Sequence, residues 1–282
     1  MAYKTLLTVA TRADRCELAI TGAATLATAH DAHLDILALG VDVTQIGYSY
    51  VGSGAVILQA TLDRAEQEAK EIEKAARKAL AEQDPTLRYA LEAAMTQLGA
   101  LTELVAQRAR FADLVVLPRP YGPGLGTESE AVVEAALFEG HAPVLILPDS
   151  GAGHAASPRR VVIAWNQSAE AMAAVRKALP ILKQADLVSI TVIDPPQTGV
   201  ERSDPGGMLC QMLVRHGVKA EVTVLARTLP RVSDVLARHV RDSNADLLVM
   251  GAYGHSRFRE AILGGATRNM LEQAEIPVLM AR

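Results

Sequence analysis

Aromatic side chains are scarce in this sequence: three Phe, six Tyr and one Trp among 282 residues. A core must therefore be built from Ala, Val, Leu and Ile, which favours helices packed on a parallel sheet over an aromatic sandwich. Cysteine is scarcer still. Cys16 and Cys210 stand apart and neither has a CxxC partner, which argues against a disulfide framework and predicts a cytoplasmic protein with reduced thiols. No apolar run reaches the roughly 20 residues that a membrane helix needs, and Met1-Ala2-Tyr3-Lys4-Thr5 leads into no signal-peptide cleavage pattern. Membrane is therefore not an expected partner. An excess of basic charge is missing too. The formal net charge is −4 with no long basic run, so nucleic acid is not an expected partner either.

Motifs of catalysis are also lacking. There is no GxxxxGK[ST], no GxGxxG after the first apolar run, no SGGxDS loop, no GxSxG and no HExxH. The seven His are scattered and form no Cys/His cluster, so neither a metal site nor a catalytic residue is expected.

What the chain does have is alternation. Short apolar runs (KTLLTVA from Lys4, LDILALGV from Leu34, DLVVL from Asp113, PVLIL from Pro143) are separated by stretches with helical spacing. The pattern then starts again with RVVIAW from Arg160 and ends at Pro277–Ala281. The two passes match in detail. Ala112-Asp113-Leu114-Val115-Val116-Leu117 corresponds to Ala245-Asp246-Leu247-Leu248-Val249-Met250, and Ala142-Pro143-Val144-Leu145-Ile146 to Ile276-Pro277-Val278-Leu279-Met280. This is a tandem of two α/β domains, 1–148 and 160–282. They are joined by residues 149–159, whose small, polar, Gly- and Pro-rich composition predicts an exposed linker. In the second domain a helix is expected to be bent or ended by Pro180. Strands alternating with helices imply a doubly wound parallel sheet with right-handed crossovers, and ligands bind such sheets beyond the strand carboxyl ends, where strand order reverses.

The stretch with most chemical content is Leu247-Leu248-Val249-Met250-Gly251-Ala252-Tyr253-Gly254-His255, continuing to Gly264-Gly265-Ala266-Thr267. An apolar strand stops at glycine, and a helix-compatible segment begins after the third glycine of the spacing. Free N–H groups at a helix start attract anions, and glycine lets a phosphate come close to the backbone. The pattern, Gly-x2-Gly-x9-Gly between two apolar strands, resembles the nucleotide-binding signature of the universal stress protein family. One position departs from it: Gly265 stands where a Ser or Thr usually follows the third glycine, and the nearest hydroxyl is Thr267.

The resemblance implies five parallel strands per domain in the order 3-2-1-4-5 and an ATP or other adenine nucleotide, possibly with Mg²⁺, in the second domain. It places the base and ribose near Ala164, Trp165, Asn166, Ser168, Val192 and Ile193. The phosphates fall near Gly251, Gly254, His255, Arg257, Gly264, Gly265, Ala266 and Thr267. Read as residues alone, Asn166 and Ser168 cap a helix, Val192 and Ile193 are core, and His255 is a loop histidine. In the first domain Pro118-Arg119-Pro120-Tyr121 replaces the first two glycines, and Glu128 and Glu130 oppose phosphate. This domain is not expected to bind ATP in the family's manner. The family associates through fifth strands, so a homodimer or an intrachain pairing of the two halves is expected. The implied role is regulatory binding with at most slow hydrolysis. The alternatives are a nucleotide-free dimerising interaction module and, ranked last, an ATP-using enzyme.

Overall fold

The structure, a computed structural model, describes residues 2–44, 54–122, 124–151, 153, 155–195, 203–252 and 265–282. Apart from the first two residues, contacts divide the chain into two units, Tyr3–Ala142 and Pro143–Arg282.

The Tyr3–Ala142 unit contains β1 (Thr5–Ala10), a single 3₁₀ turn (Ala13–Arg15), α1 (Cys16–His30), β2 (His33–Asp42) and α2 (Gly54–Leu80). It continues with β3 (Arg88–Gln97), α3 (Leu98–Ala109), β4 (Leu114–Pro118) and α4 (Thr127–Glu134), which runs into a π turn. Its strands lie parallel in the order β3-β2-β1-β4. Strands β1 and β4 are apolar runs, not alternating patterns, because helices cover both faces; Leu6, Val9, Leu114, Val115 and Val116 are all buried. Helix α2 turns Ala65, Ala69, Ile72, Ala76 and Ala79 inward. Its outer face carries the i,i+4 pairs Arg64–Glu68, Glu66–Lys70 and Glu73–Arg77.

The Pro143–Arg282 unit holds β5 (Val144–Leu147), β6 (Arg160–Ala164), α5 (Ala169–Leu182), β7 (Leu187–Ile193) and α6 (Gly207–Arg215). It ends with β8 (Ala220–Leu225), α7 (Val232–Asp242), β9 (Leu247–Gly251), α8 (Ala266–Gln273) and β10 (Val278–Ala281). Strands β8-β7-β6-β9-β10 are parallel neighbours, the order 3-2-1-4-5. Strand β5 adds to this sheet antiparallel to β10, with Ile146 opposite Val278 and Val144 opposite Met280. The sequence repeat counts β5 as the last strand of the first domain, ending at 148. The division by contacts falls earlier, after Ala142, because β5 pairs with β10. The two fifth strands are thus paired within one chain, and β10 has a neighbour on each edge.

The repeated Ala-Asp-Leu sequence has the same structural cause in both units. Asp113 Oδ2 accepts the backbone N–H groups of Lys4 and Thr5 at 2.8 and 3.1 Å. Asp246 Oδ2 does the same for Arg159 and Arg160 at 2.8 and 2.9 Å. Each aspartate satisfies the donors at the entry of one strand, β1 or β6, where the ladder has not yet begun. The Asp backbone also donates to that strand, Asp113 to Thr5 O and Asp246 to Arg160 O, both at 2.8 Å.

One expectation is corrected and another is narrowed. The segment between β5 and β6 is not exposed throughout, since Ala155 and Ala156 are buried. Pro180 does not end α5, which runs to Leu182. Proline so near the helix end forfeits one backbone bond, and the completely buried Ile181 and Leu182 anchor the turn that follows it.

Candidate functional site

In the Pro143–Arg282 unit strand order reverses between β6 and β9, as the 3-2-1-4-5 topology requires. A cavity of about 130 Å³ opens at the carboxyl ends of these strands. Its walls are Ala164, Trp165 and Asn166 after β6, Thr191 and Ile193 on β7, and Met250 and Gly251 on β9. Val232, Ser233 and Leu236 of α7 and Met270 of α8 complete it. None of these side chains is ionisable. The volume lies below the roughly 300 Å³ at which whole small-molecule sites begin, so these walls suit one flat, neutral ring.

The β6–α5 turn is built by local hydrogen bonds. Trp165 N–H donates to Thr191 O at 2.9 Å, which ties the chain to β7 one residue past β6. Asn166 Oδ1 accepts from Ser168 N–H at 3.2 Å, and Gln167 adopts a left-handed φ of 63° between them. Ser168 is the N-cap of α5, its Oγ accepting from Ala171 N–H at 3.1 Å. Ser168 is therefore committed to the helix, while Asn166 stays exposed at the cavity rim.

Gly251 is required by packing. It is not among the residues with positive φ, but a Cβ added there would lie 2.6 Å from Ala171 N and 2.9 Å from Glu170 C. Strand β9 thus ends against the first turn of α5. Val192 is buried on β7, and Thr267 is buried in the first turn of α8. Gly265 is the N-cap of α8 and makes no side-chain cap bond, so the first N–H groups of that helix lack this partner. Ala266 begins the helix. Gly254, His255, Arg257 and Gly264 lie outside the described residues.

The structure therefore brings Ala164, Trp165, Asn166, Ile193 and Gly251 to one cavity, while Ser168 and Val192 do not line it. Sequence reasoning missed Thr191, Val232, Ser233, Leu236, Met250 and Met270. Ser233 and Leu236 are three residues apart on one face of α7, and no motif marks that helix. Two polar atoms of the cavity walls have no hydrogen-bond partner among the described residues: Trp165 Nε1 and Ser233 Oγ, on residues only 7% and 2% exposed.

The corresponding reversal in the Tyr3–Ala142 unit lies between β1 and β4 and is nearly closed. The hollow there is about 20 Å³, lined by residues that include Arg15, Pro118 and Arg119. At the adjacent helix start, a Cβ added to Gly126 would collide with the Glu128 carboxylate. The unit's own carboxylate thus covers the start of α4. Tyr121 donates its hydroxyl to Glu130 at 2.9 Å. A wider hollow of about 410 Å³ beside β1 and β2 is ringed by Asp14, Glu68, Glu71 and Glu128. Its basic residue among those described, Arg12, is held by Asp14 at 2.8 Å. That hydrogen bond raises the guanidinium pKa and lowers that of the Asp14 carboxyl. Among the described residues no group of three His, Cys, Asp or Glu converges on a cation position.

Comparison with known proteins fits this geometry. Residues 158–282 match the model of the universal stress protein family. The universal stress protein Slr1230 of Synechocystis sp. (strain ATCC 27184 / PCC 6803 / Kazusa) is 30% identical over 128 residues, which are 44% of this chain and 42% of that relative. The chain thus spans under half the length of this curated relative. Among solved structures, a universal stress protein from Archaeoglobus fulgidus DSM 4304 has a TM-score of 0.68 at 14% identity, covering 99% of this chain and 96% of its own. A putative universal stress protein from Pseudomonas aeruginosa UCBPP-PA14 has a TM-score of 0.55 at 16% identity, covering 99% and 92%. At these identities the likeness is one of fold. Residues 158–282 are thus similar to the universal stress protein family, and along its length the chain shares the fold of solved universal stress proteins.

Proposed function

We propose that the chain is a regulatory nucleotide-binding protein that takes one adenine nucleotide, in its Pro143–Arg282 unit. The observation that carries this reading is the cavity at the β6/β9 reversal. Its described walls are neutral and largely apolar, which suits a base. Met270 of α8 reaches the same cavity, so the start of that helix, with Gly265 at its N-cap, lies within the reach of a nucleotide whose base sits there. Phosphates are stabilised at such a start by free N–H groups and the helix dipole. The missing Ser or Thr hydroxyl at Gly265 costs about 0.5–1.5 kcal/mol, which lowers affinity by about tenfold at most and leaves a working site.

The Tyr3–Ala142 unit serves as a partner domain without a nucleotide. Its reversal point is nearly filled, and Glu128 lies over its helix start. No described group stands ready as a general base in the cavity of the other unit, so hydrolysis is slow and binding itself is the signal. ATP, ADP and AMP share the base that the cavity would take; a Mg²⁺ ion would arrive with the phosphates and not with protein ligands.

The chain has a single tryptophan, Trp165, and it lies in the cavity wall. Its emission therefore reports the site without background. Titration with AMP, ADP and ATP should change that emission saturably, and ligand should raise the melting temperature by mass action. Constant emission together with an unmoved melting temperature at millimolar nucleotide would refute the reading and leave the interaction module in its place.

A further inference from the structure

We propose that Trp165 and Ser233 are the groups that read the base, which sets the ligand class as a neutral purine with a hydrogen-bond acceptor on the edge it turns to the indole. This inference rests on the nucleotide reading above and adds residues that the glycine signature does not contain.

Buried polar atoms are almost always paired, and an unpaired one is unfavourable enough to require a reason. Here two such atoms lie in the wall of one small cavity. Trp165 is fixed by its own backbone bond to Thr191 at the end of β6. Ser233 is fixed by α7, where it occupies the second helical position. A serine near a helix start commonly caps that start, but the N-cap of α7 is Arg231 and makes no side-chain bond. The Ser233 hydroxyl is thus committed neither to its helix nor to another described side chain.

The chemistry of the two groups limits what they accept. An indole N–H only donates, so the ligand must present an acceptor to Trp165; a hydroxyl both donates and accepts, so Ser233 tolerates either. Thr191, also buried in the wall, adds a second hydroxyl on the β7 side. A phosphate or a sugar would bring charge or many unmatched hydroxyls against walls whose described residues carry no ionisable group. A purine brings ring-nitrogen acceptors on a flat apolar body and meets all these conditions. A bound base would give these two atoms hydrogen bonds of fixed geometry.

The test compares the full-length wild type with Trp165→Phe and Ser233→Ala by calorimetric titration with AMP, and follows the melting of each protein without ligand. Each substitution should weaken AMP binding by about threefold to tenfold, the worth of one net hydrogen bond. Ser233→Ala should also melt at the same or a higher temperature than the wild type when ligand-free, because it removes a buried hydroxyl that has no partner. A serine that merely packs would show neither effect. AMP affinities within twofold of wild type in both variants would overturn the proposal while leaving the nucleotide reading intact. Loss of ligand-free stability in Ser233→Ala alongside lost affinity would also overturn it, by making Ser233 structural. A wild type that binds no adenine nucleotide would overturn the function reading and this inference together.

Discussion

At the scale of residues, the glycines of the signature separate by cause. Gly251 is fixed by the amide backbone of α5, which leaves no room for a Cβ. Gly251→Ala should therefore cost about 1–3 kcal/mol through overpacking, seen as a lower urea midpoint at unchanged slope. Unchanged stability would show that strand end and helix part freely. Histidines give a second prediction. Burial lowers the pKa of His30, whose ring lies 4.9 Å from that of Tyr3, and of His239, in each case below the ordinary 6.5. Between its lowered folded value and 6.5, each histidine binds a proton in the unfolded chain that the folded state refuses. Stability is thus complete above that pH and falls as pH drops through it. Melting temperature should decline from about pH 7 to about pH 5, and His30→Gln should flatten part of the slope. An equal slope in the variant would assign the effect elsewhere.

At the scale of elements, the strands and helices were legible because their patterns are local. Apolar runs of four to eight residues marked the strands to within a residue or two. The repeated Ala-Asp-Leu marked duplication before it could be given a mechanism, and the mechanism is the double acceptance at each strand entry. Asp246→Ala and Asp113→Ala should each destabilise their own unit by about 1 kcal/mol, since each leaves two backbone donors to water. Asn, which keeps an acceptor, should recover much of that loss. Equal stability of the Ala variants would mean that water serves as well. What sequence could not show was set by tertiary packing. Pro180 reads as a residue that bends or ends its helix, and buried neighbours hold the last turn of α5 beyond it. Ser233 carries no signal of its own on α7, because its importance arises only when that helix meets the end of β6.

At the scale of the whole molecule, one repeat keeps an open reversal point and the other has closed it. The sequence showed the asymmetry through Pro118, Glu128 and Glu130; the structure adds the filled hollow and the carboxylate folded over Gly126. Strand β10 is paired with β9 on one side and with β5 on the other. Association of two chains through β10 edges would have to displace β5, so the chain should stay monomeric with respect to that edge. Scattering across a hundredfold range of concentration checks this; dimers abolished by Val278→Pro without loss of fold would contradict it. The account as a whole stands on one nucleotide per chain. Calorimetric titration of ligand-free, full-length protein with AMP measures that number directly. The account predicts a single site. Two equivalent sites would contradict the closed state of the Tyr3–Ala142 unit, and no site at all would contradict the central claim.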